Sequence, residues 1–303
     1  MQAMDASTPP APLPPVFISH GSPMTALEPR EAGAFMQRLG PAIEREFGRP
    51  RAIVAVSAHS LTREPVLLAA PRHEAVYDFG GFDPKLYTLR YDAPGAPELA
   101  QRVAALLAAQ GLPAHVVAEG GLDHGIWTPL RYMFPEADVP VLPLAWPPDW
   151  APERLFALGA ALAPLAAEGV LVFGSGSITH NLRRVFAGGL RDVDKPATPE
   201  STAFREWFRE HAERPQGADW APLLDYRRAA PHATLMHPTD EHLLPWYVAA
   251  GAGGREAPAR RIHASLTFGD LGMDAYAFGP GATRLARALA SAEAASPVRS
   301  TAG

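Results

Sequence analysis

The chain alternates short, wholly apolar runs with longer stretches in which apolar residues recur every three or four positions. Val16-Phe17-Ile18, Ala52-Ile53-Val54-Ala55-Val56, Val139 to Leu144 and Val170-Leu171-Val172-Phe173 present no polar face. Short runs of this kind, bounded by Gly, Pro or Ser, predict strands buried on both sides of a sheet. Pro65 to Ala70, Tyr87 to Tyr91 and His115 to Val117 read as further short extended segments. Ile262 to Phe268 and Asp274 to Phe278 alternate and predict a closing hairpin.

Between the strands the period changes to that of a helix. Ala96 to Gln110 carries Leu99, Val103, Leu106 and Leu107 on one face, with Gly111 as its stop. Glu28–Phe47, Ile126–Met133, Pro152–Ala167, Thr202–Arg214, Pro222–Ala230, Leu243–Ala250 and Thr283–Ala294 are the other predicted helices. Strands alternating with helices indicate an α/β fold. We expect a single-domain three-layer sandwich over residues 15–293, with a mixed, mostly parallel central sheet flanked by helices. Residues 1–14 and 294–303, rich in Pro, Ala and small residues, are expected to be disordered tails.

Composition narrows the chemistry. A length of 303 residues is ample for a full core. The net charge is −5 and no basic stripe is present, which argues against nucleic acid as a partner. No cysteine is present, so disulfides, thiolate nucleophiles and cysteine metal sites are excluded. Any metal must use histidine and carboxylate. The lack of cysteine fits a cytoplasmic protein. No apolar stretch is long enough to cross a bilayer, and the first residues have neither the basic start nor the apolar core of a signal peptide.

The histidines change the picture most. Three apolar runs each lead into one: Val16-Phe17-Ile18-Ser19-His20, Val56-Ser57-Ala58-His59, and Phe173-Gly174-Ser175-Gly176-Ser177-Ile178-Thr179-His180. Ligands of α/β proteins gather at strand ends, and tight turns there hold imidazoles in fixed geometry. Each also has an ordinary reading. His20 could cap the following helix, and His59 could be a buried histidine bonded to backbone. In Pro238-Thr239-Asp240-Glu241-His242, an N-cap at Thr239 or Asp240 would put His242 in the first helical turn, with His237 just before it. His124 follows Asp123, but sequence neighbours rarely pair their side chains, so Asp123 need not orient it. Gly174-Ser175-Gly176-Ser177 could cradle phosphate, yet it lacks the lysine of a P-loop. No Ser sits in a Gly-x-Ser-x-Gly elbow, which ranks serine hydrolysis low. His73, His115, His211, His232 and His263 read as surface or structural.

Six motifs occur in order: His20-Gly21-Ser22-Pro23, Ser57-Ala58-His59, Tyr77-Asp78-Phe79-Gly80-Gly81-Phe82, Asp123-His124-Gly125, His180-Asn181-Leu182-Arg183 and Pro238-Thr239-Asp240-Glu241-His242. Together, over roughly Pro15 to Phe278, the chain resembles the DODA-type class III extradiol ring-opening dioxygenases, relatives of the catalytic subunit of protocatechuate 4,5-dioxygenase. The resemblance implies that His20, His59 and His242 bind a metal, with Fe(II) expected for activity and Zn(II) able to occupy the same site. It implies His180 as the acid/base and His124 as a second pocket histidine. Its substrates would be a small aromatic diol and O2, with no nucleic acid or membrane partner, and the protein a monomer or small homo-oligomer. Glu241 and His237 are lesser candidates for assisting the metal. Tyr77, Phe82 and Trp127 are candidate pocket walls, with core packing as the alternative for each. Ser60, His237 and Asp240 depart from the family pattern. Two rival readings remain: a zinc-dependent hydrolase, and a non-catalytic Memo-like binding protein on the same fold.

Overall fold

The computed structural model describes residues 11–189, 192–214 and 217–295. Most of both expected tails lies outside these residues. Within the first, Leu13 and Pro14 are buried, so packing begins before Pro15. The last helix, Ala282–Ala295, runs slightly past its expected end.

The central sheet has eight strands: β1 (Val16–Ser19), β2 (Ala52–Ser57), β3 (Val66–Leu68), β4 (His115–Val117), β5 (Val141–Ala145), β6 (Val170–Gly176), β7 (Ala259–His263) and β8 (Ala275–Phe278). Their order is β4-β3-β5-β2-β6-β1-β8-β7. Strands β5, β2, β6 and β1 run parallel at the centre. β3 joins β5 antiparallel, and β8 is antiparallel to both β1 and β7. The sheet is mixed and mostly parallel, as the apolar runs imply.

Side-chain alternation makes the three layers. Val16, Ile18, Ile53, Ala55, Leu171 and Phe173 face one hydrophobic cluster with helices Arg30–Phe47, His124–Met133 and Ala282–Ala295. Phe17, Val54, Val56, Val170 and Val172 face the other, with Pro97–Ala109, Pro152–Leu162, Pro199–Ala212 and Pro245–Gly253. A strand with core on both faces has no polar alternation to show, which is why these runs read as uniformly apolar.

Four local expectations are corrected. Tyr87 to Tyr91 forms no strand: Pro84–Thr88 makes a 3-10 turn, capped by Asp83, whose carboxylate accepts from the Lys85 N–H at 2.8 Å, and the backbone becomes extended only at Leu89. Gly174-Ser175-Gly176 is not a loop but the end of β6, paired with β1 and β2, so it forms no phosphate cradle. The helix after His242 begins only at Pro245, which leaves His242 in the preceding turn. The closing hairpin is reorganised: β7 pairs with β8, while Leu266–Thr267 and Leu271–Gly272 form a separate small ladder. Short helices at Leu182–Gly188 and Ala233–Met236 were not legible from periodicity.

Candidate active site

Parallel strands that are neighbours in a sheet end on the same edge. β2, β6 and β1 are such neighbours, so the chain leaving each one enters the same space. His20 lies one residue past β1, His59 two past β2 and His180 four past β6. His242 arrives from the turn before Pro245, and His124 opens the helix His124–Met133.

These five rings form one cluster. His20 lies with its ring centre 5.0 Å from His59, 5.3 Å from His124 and 5.6 Å from His242. His59 is 4.1 Å from His124 and 5.0 Å from His242. His180 stacks on His242 at 3.5 Å with the planes 9° apart. The six remaining histidines stay out of it. Among them His73 is fully buried, and His115 is exposed and paired with Glu64.

Glycine makes the approach possible. A Cβ on Gly176 would lie 2.0 Å from the carbonyl oxygen of His242, so only glycine lets the His242 turn lie on the end of β6. The Ser177 N–H then donates to the same oxygen at 2.8 Å. The His180 N–H donates to Met236 O at 2.9 Å, and Asn181 Nδ2 to Leu235 O at 2.6 Å. The segments carrying His180 and His242 are therefore laced together.

The hydrogen-bond partners fix the ring protons. Ser175 Oγ gives its one proton to Gly125 O, so it accepts from His20 Nδ1 at 2.9 Å. His242 Nδ1 donates to Glu241 Oε1 at 3.0 Å, and His124 Nδ1 to Asp78 Oδ2 at 3.0 Å. Each of these rings keeps a bare Nε2. His59 and His20 bring their Nε2 atoms to 3.1 Å. Two nitrogens that close share either a proton or a cation, and two ligands about 2.0–2.1 Å from a tetrahedral ion sit roughly 3.3 Å apart. The ligand atoms of His20, His59 and His242 all lie within 4.8 Å of one another. This donor set fits a divalent metal: three imidazole nitrogens, outer nitrogens bonded at His20 and His242, and no fourth ligand grouped with all three among the described residues.

Burial keeps His20, His59, His180 and His242 uncharged. It lowers His20 and His242 well below the ordinary histidine value, with the neighbouring imidazoles adding to the effect. Burial also brings His180 to about 4. His59 falls to about 4 by burial and then by His124, against the pull of Asp78. A neutral imidazole is the form that can bind a cation.

The supporting carboxylates were not legible in the sequence. Asp123 does not orient His124; it accepts from Ser57 Oγ at 2.6 Å and Ser60 Oγ at 2.5 Å, stapling the turn that carries His59. Burial raises its carboxyl above the usual range. Asp78, 46 positions before His124, is the residue that holds that ring. Only its Tyr-Asp-Phe-Gly-Gly-Phe setting marked it, without saying what it faces. Glu241 touches His242 Nδ1, on the far side of the ring from the bare nitrogen. His237 gives Nε2–H to Ile178 O at 2.9 Å and lies apart from the candidate ligand groups. Trp127 is fully buried in the core, its indole N–H bonded to Val76 O. Phe79, not Phe82, turns its ring to His124, at 5.6 Å.

Comparison with known proteins identifies the family. Residues 14–279 match the family of the catalytic LigB subunit of aromatic ring-opening dioxygenase. The chain is 37% identical over 265 residues to a 4,5-DOPA dioxygenase extradiol of Beta vulgaris, covering 86% of this chain and 95% of that protein. It is 36% identical over 262 residues to the protein of the same name from Escherichia coli K12, covering 86% and 93%. The crystal structure of an uncharacterized Escherichia coli K12 protein superposes with a TM-score of 0.71 at 31% identity, over 88% of this chain and all of that one. These relatives favour oxygen chemistry over the hydrolase and ligand-binding readings. The chain belongs to the LigB family, the class III extradiol ring-opening dioxygenases.

Proposed function

We propose that this enzyme opens the ring of a catecholic substrate beside its hydroxyls, using O2 and a metal held by His20, His59 and His242. The convergence of three imidazoles on one point, with the outer nitrogens of His20 and His242 already bonded, is the observation that carries the reading. Fe(II) is the metal we assign for activity, because the family's reaction reduces O2; Zn(II) suits the same nitrogens. When bound, the metal would supply a Lewis-acidic centre at which diol and O2 meet.

The chain's own residues do the rest. His180 is neutral and stacked beside His242, with no side-chain hydrogen bond among the described residues to occupy its ring nitrogens. It is placed to take a proton from the substrate hydroxyl and return it later, a service worth roughly 100- to 10,000-fold in rate. His124 is the second pocket histidine, beside the metal-binding rings. Phe79, edge-on to His124, is the aromatic side chain best placed to meet a substrate ring. The relatives named for 4,5-DOPA make an amino-acid-bearing catechol a natural first substrate to try.

The test is anaerobic reconstitution with Fe(II), followed by O2 and a catechol panel that includes DOPA. Coloured semialdehyde product with matching oxygen uptake is expected. Neither signal across the whole panel overturns the assignment.

A further inference from the structure

We infer that Asp78 is a positioning residue that forces His124 to meet substrate as a hydrogen-bond acceptor. This rests on the ring-opening reading above for the role of the pocket, but not for the position of the proton. Both oxygens of Asp78 accept hydrogen bonds from one residue: Oδ1 accepts the backbone N–H of His124 at 2.9 Å, and Oδ2 accepts its ring Nδ1–H at 3.0 Å, while His59 Nδ1 lies farther from Oδ2, at 3.7 Å. The backbone bond fixes which oxygen is left for the ring. A carboxylate has no proton to give, so the ring proton must sit on Nδ1.

The clamp is itself held in place. Val76, two residues before Asp78, gives its N–H to Leu122 O at 2.7 Å and accepts the Trp127 indole N–H at 3.0 Å. Tyr77 Oη donates to Leu89 O at 2.5 Å. The Phe79 ring closes on His124 from the next position. The His124 ring packs 4.1 Å from His59 and 5.3 Å from His20, within the cluster, and Nε2 is the nitrogen Asp78 leaves bare. A bare nitrogen there receives a hydroxyl proton donor, the chemistry of a diol; it has no hydrogen to offer to an oxygen acceptor.

Asp78→Asn separates orientation from presence. Its amide oxygen can still serve the backbone N–H, and its NH2 then faces Nδ1 and demands the opposite tautomer. In the Zn(II)-loaded protein, long-range 15N–1H correlation reads the tautomer directly, with His124→Ala assigning the signals. The wild type is expected to carry the proton on Nδ1 and Asp78→Asn on Nε2. With Fe(II), Asp78→Asn is expected to keep its metal and KM while kcat falls roughly 100- to 10,000-fold, the scale of a misoriented acid/base group. A wild-type His124 protonated on Nε2 overturns the inference, whether or not the variant folds. So does a variant whose tautomer flips while kcat holds. If the wild type opens no catechol, the functional reading fails while the tautomer measurement still decides the role of Asp78.

Discussion

Two buried polar regions flank β1, and they are built on opposite principles. At the β8–β7 side lies an ion-pair network. Asp274, with no side-chain exposure, accepts from Arg205 Nε at 2.6 Å and Arg261 Nη1 at 3.2 Å. Arg205 also donates to Ser265 O at 3.0 Å, and Arg261 to Glu206 at 2.7 Å. Burial pushes the Asp274 carboxyl up and the arginines pull it back. On the other side of β1, beyond its C-terminal end, like meets like: five imidazoles crowd together with no carboxylate of the described residues at their centre. Their partners, Ser175, Glu241 and Asp78, sit on the outside. The first region satisfies its charges within the protein and is complete. The second bonds the outer nitrogens of His20, His124 and His242 and leaves their other nitrogens bare. Native interiors rarely leave such groups unmatched, and a convergent set of them marks a place where something else binds.

The largest break in this contrast comes from removing a central nitrogen. His242→Ala is expected to abolish stoichiometric metal binding and ring opening together, read by metal analysis and oxygen uptake; a variant that keeps both would mean the centre lies elsewhere. His180→Ala should leave metal content intact and cut turnover roughly 100- to 10,000-fold. Retained turnover would reassign the base. Asp274→Ala tests the opposite region. It removes the carboxylate that two largely buried arginines share and should cost about 3–5 kcal/mol in urea unfolding, without changing the metal content of the folded protein. Loss of metal with no loss of stability would show that the two regions are not separate. Ser175→Ala removes the hydroxyl that receives His20 Nδ1–H and should weaken metal affinity about 10- to 100-fold, measured by competition with a chelator. The smallest effect is expected at His115. Its pair with Glu64 is largely exposed, so His115→Ala should shift stability by less than about 1 kcal/mol and leave metal binding alone.

Much of the architecture was legible because its cause is local. Strands buried on both faces must be apolar throughout, and Val16–Ile18, Ala52–Val56 and Val170–Phe173 are. Where the local signal is weak the reading slipped. The segment at Pro84–Thr88 has strand-forming residues but is bent by Pro84 and the Asp83 cap. Gly174 and Gly176 read as a loop because glycine weakens a strand, yet here glycine is what lets a neighbouring backbone reach β6.

The sequence alone determined the layered fold, the lack of any thiol chemistry and the fact that His20, His59 and His180 follow strands. Each of these is written in residue type or in spacing along the chain. It did not determine that β2, β6 and β1 are neighbours with a common end, because strand order is set by long-range pairing. Nor did it show that Asp78 rather than Asp123 holds His124, or that Ser175 backs His20. Those contacts join residues 46 and 155 positions apart. Ring protons follow from hydrogen-bond partners, and only the folded chain chooses the partners.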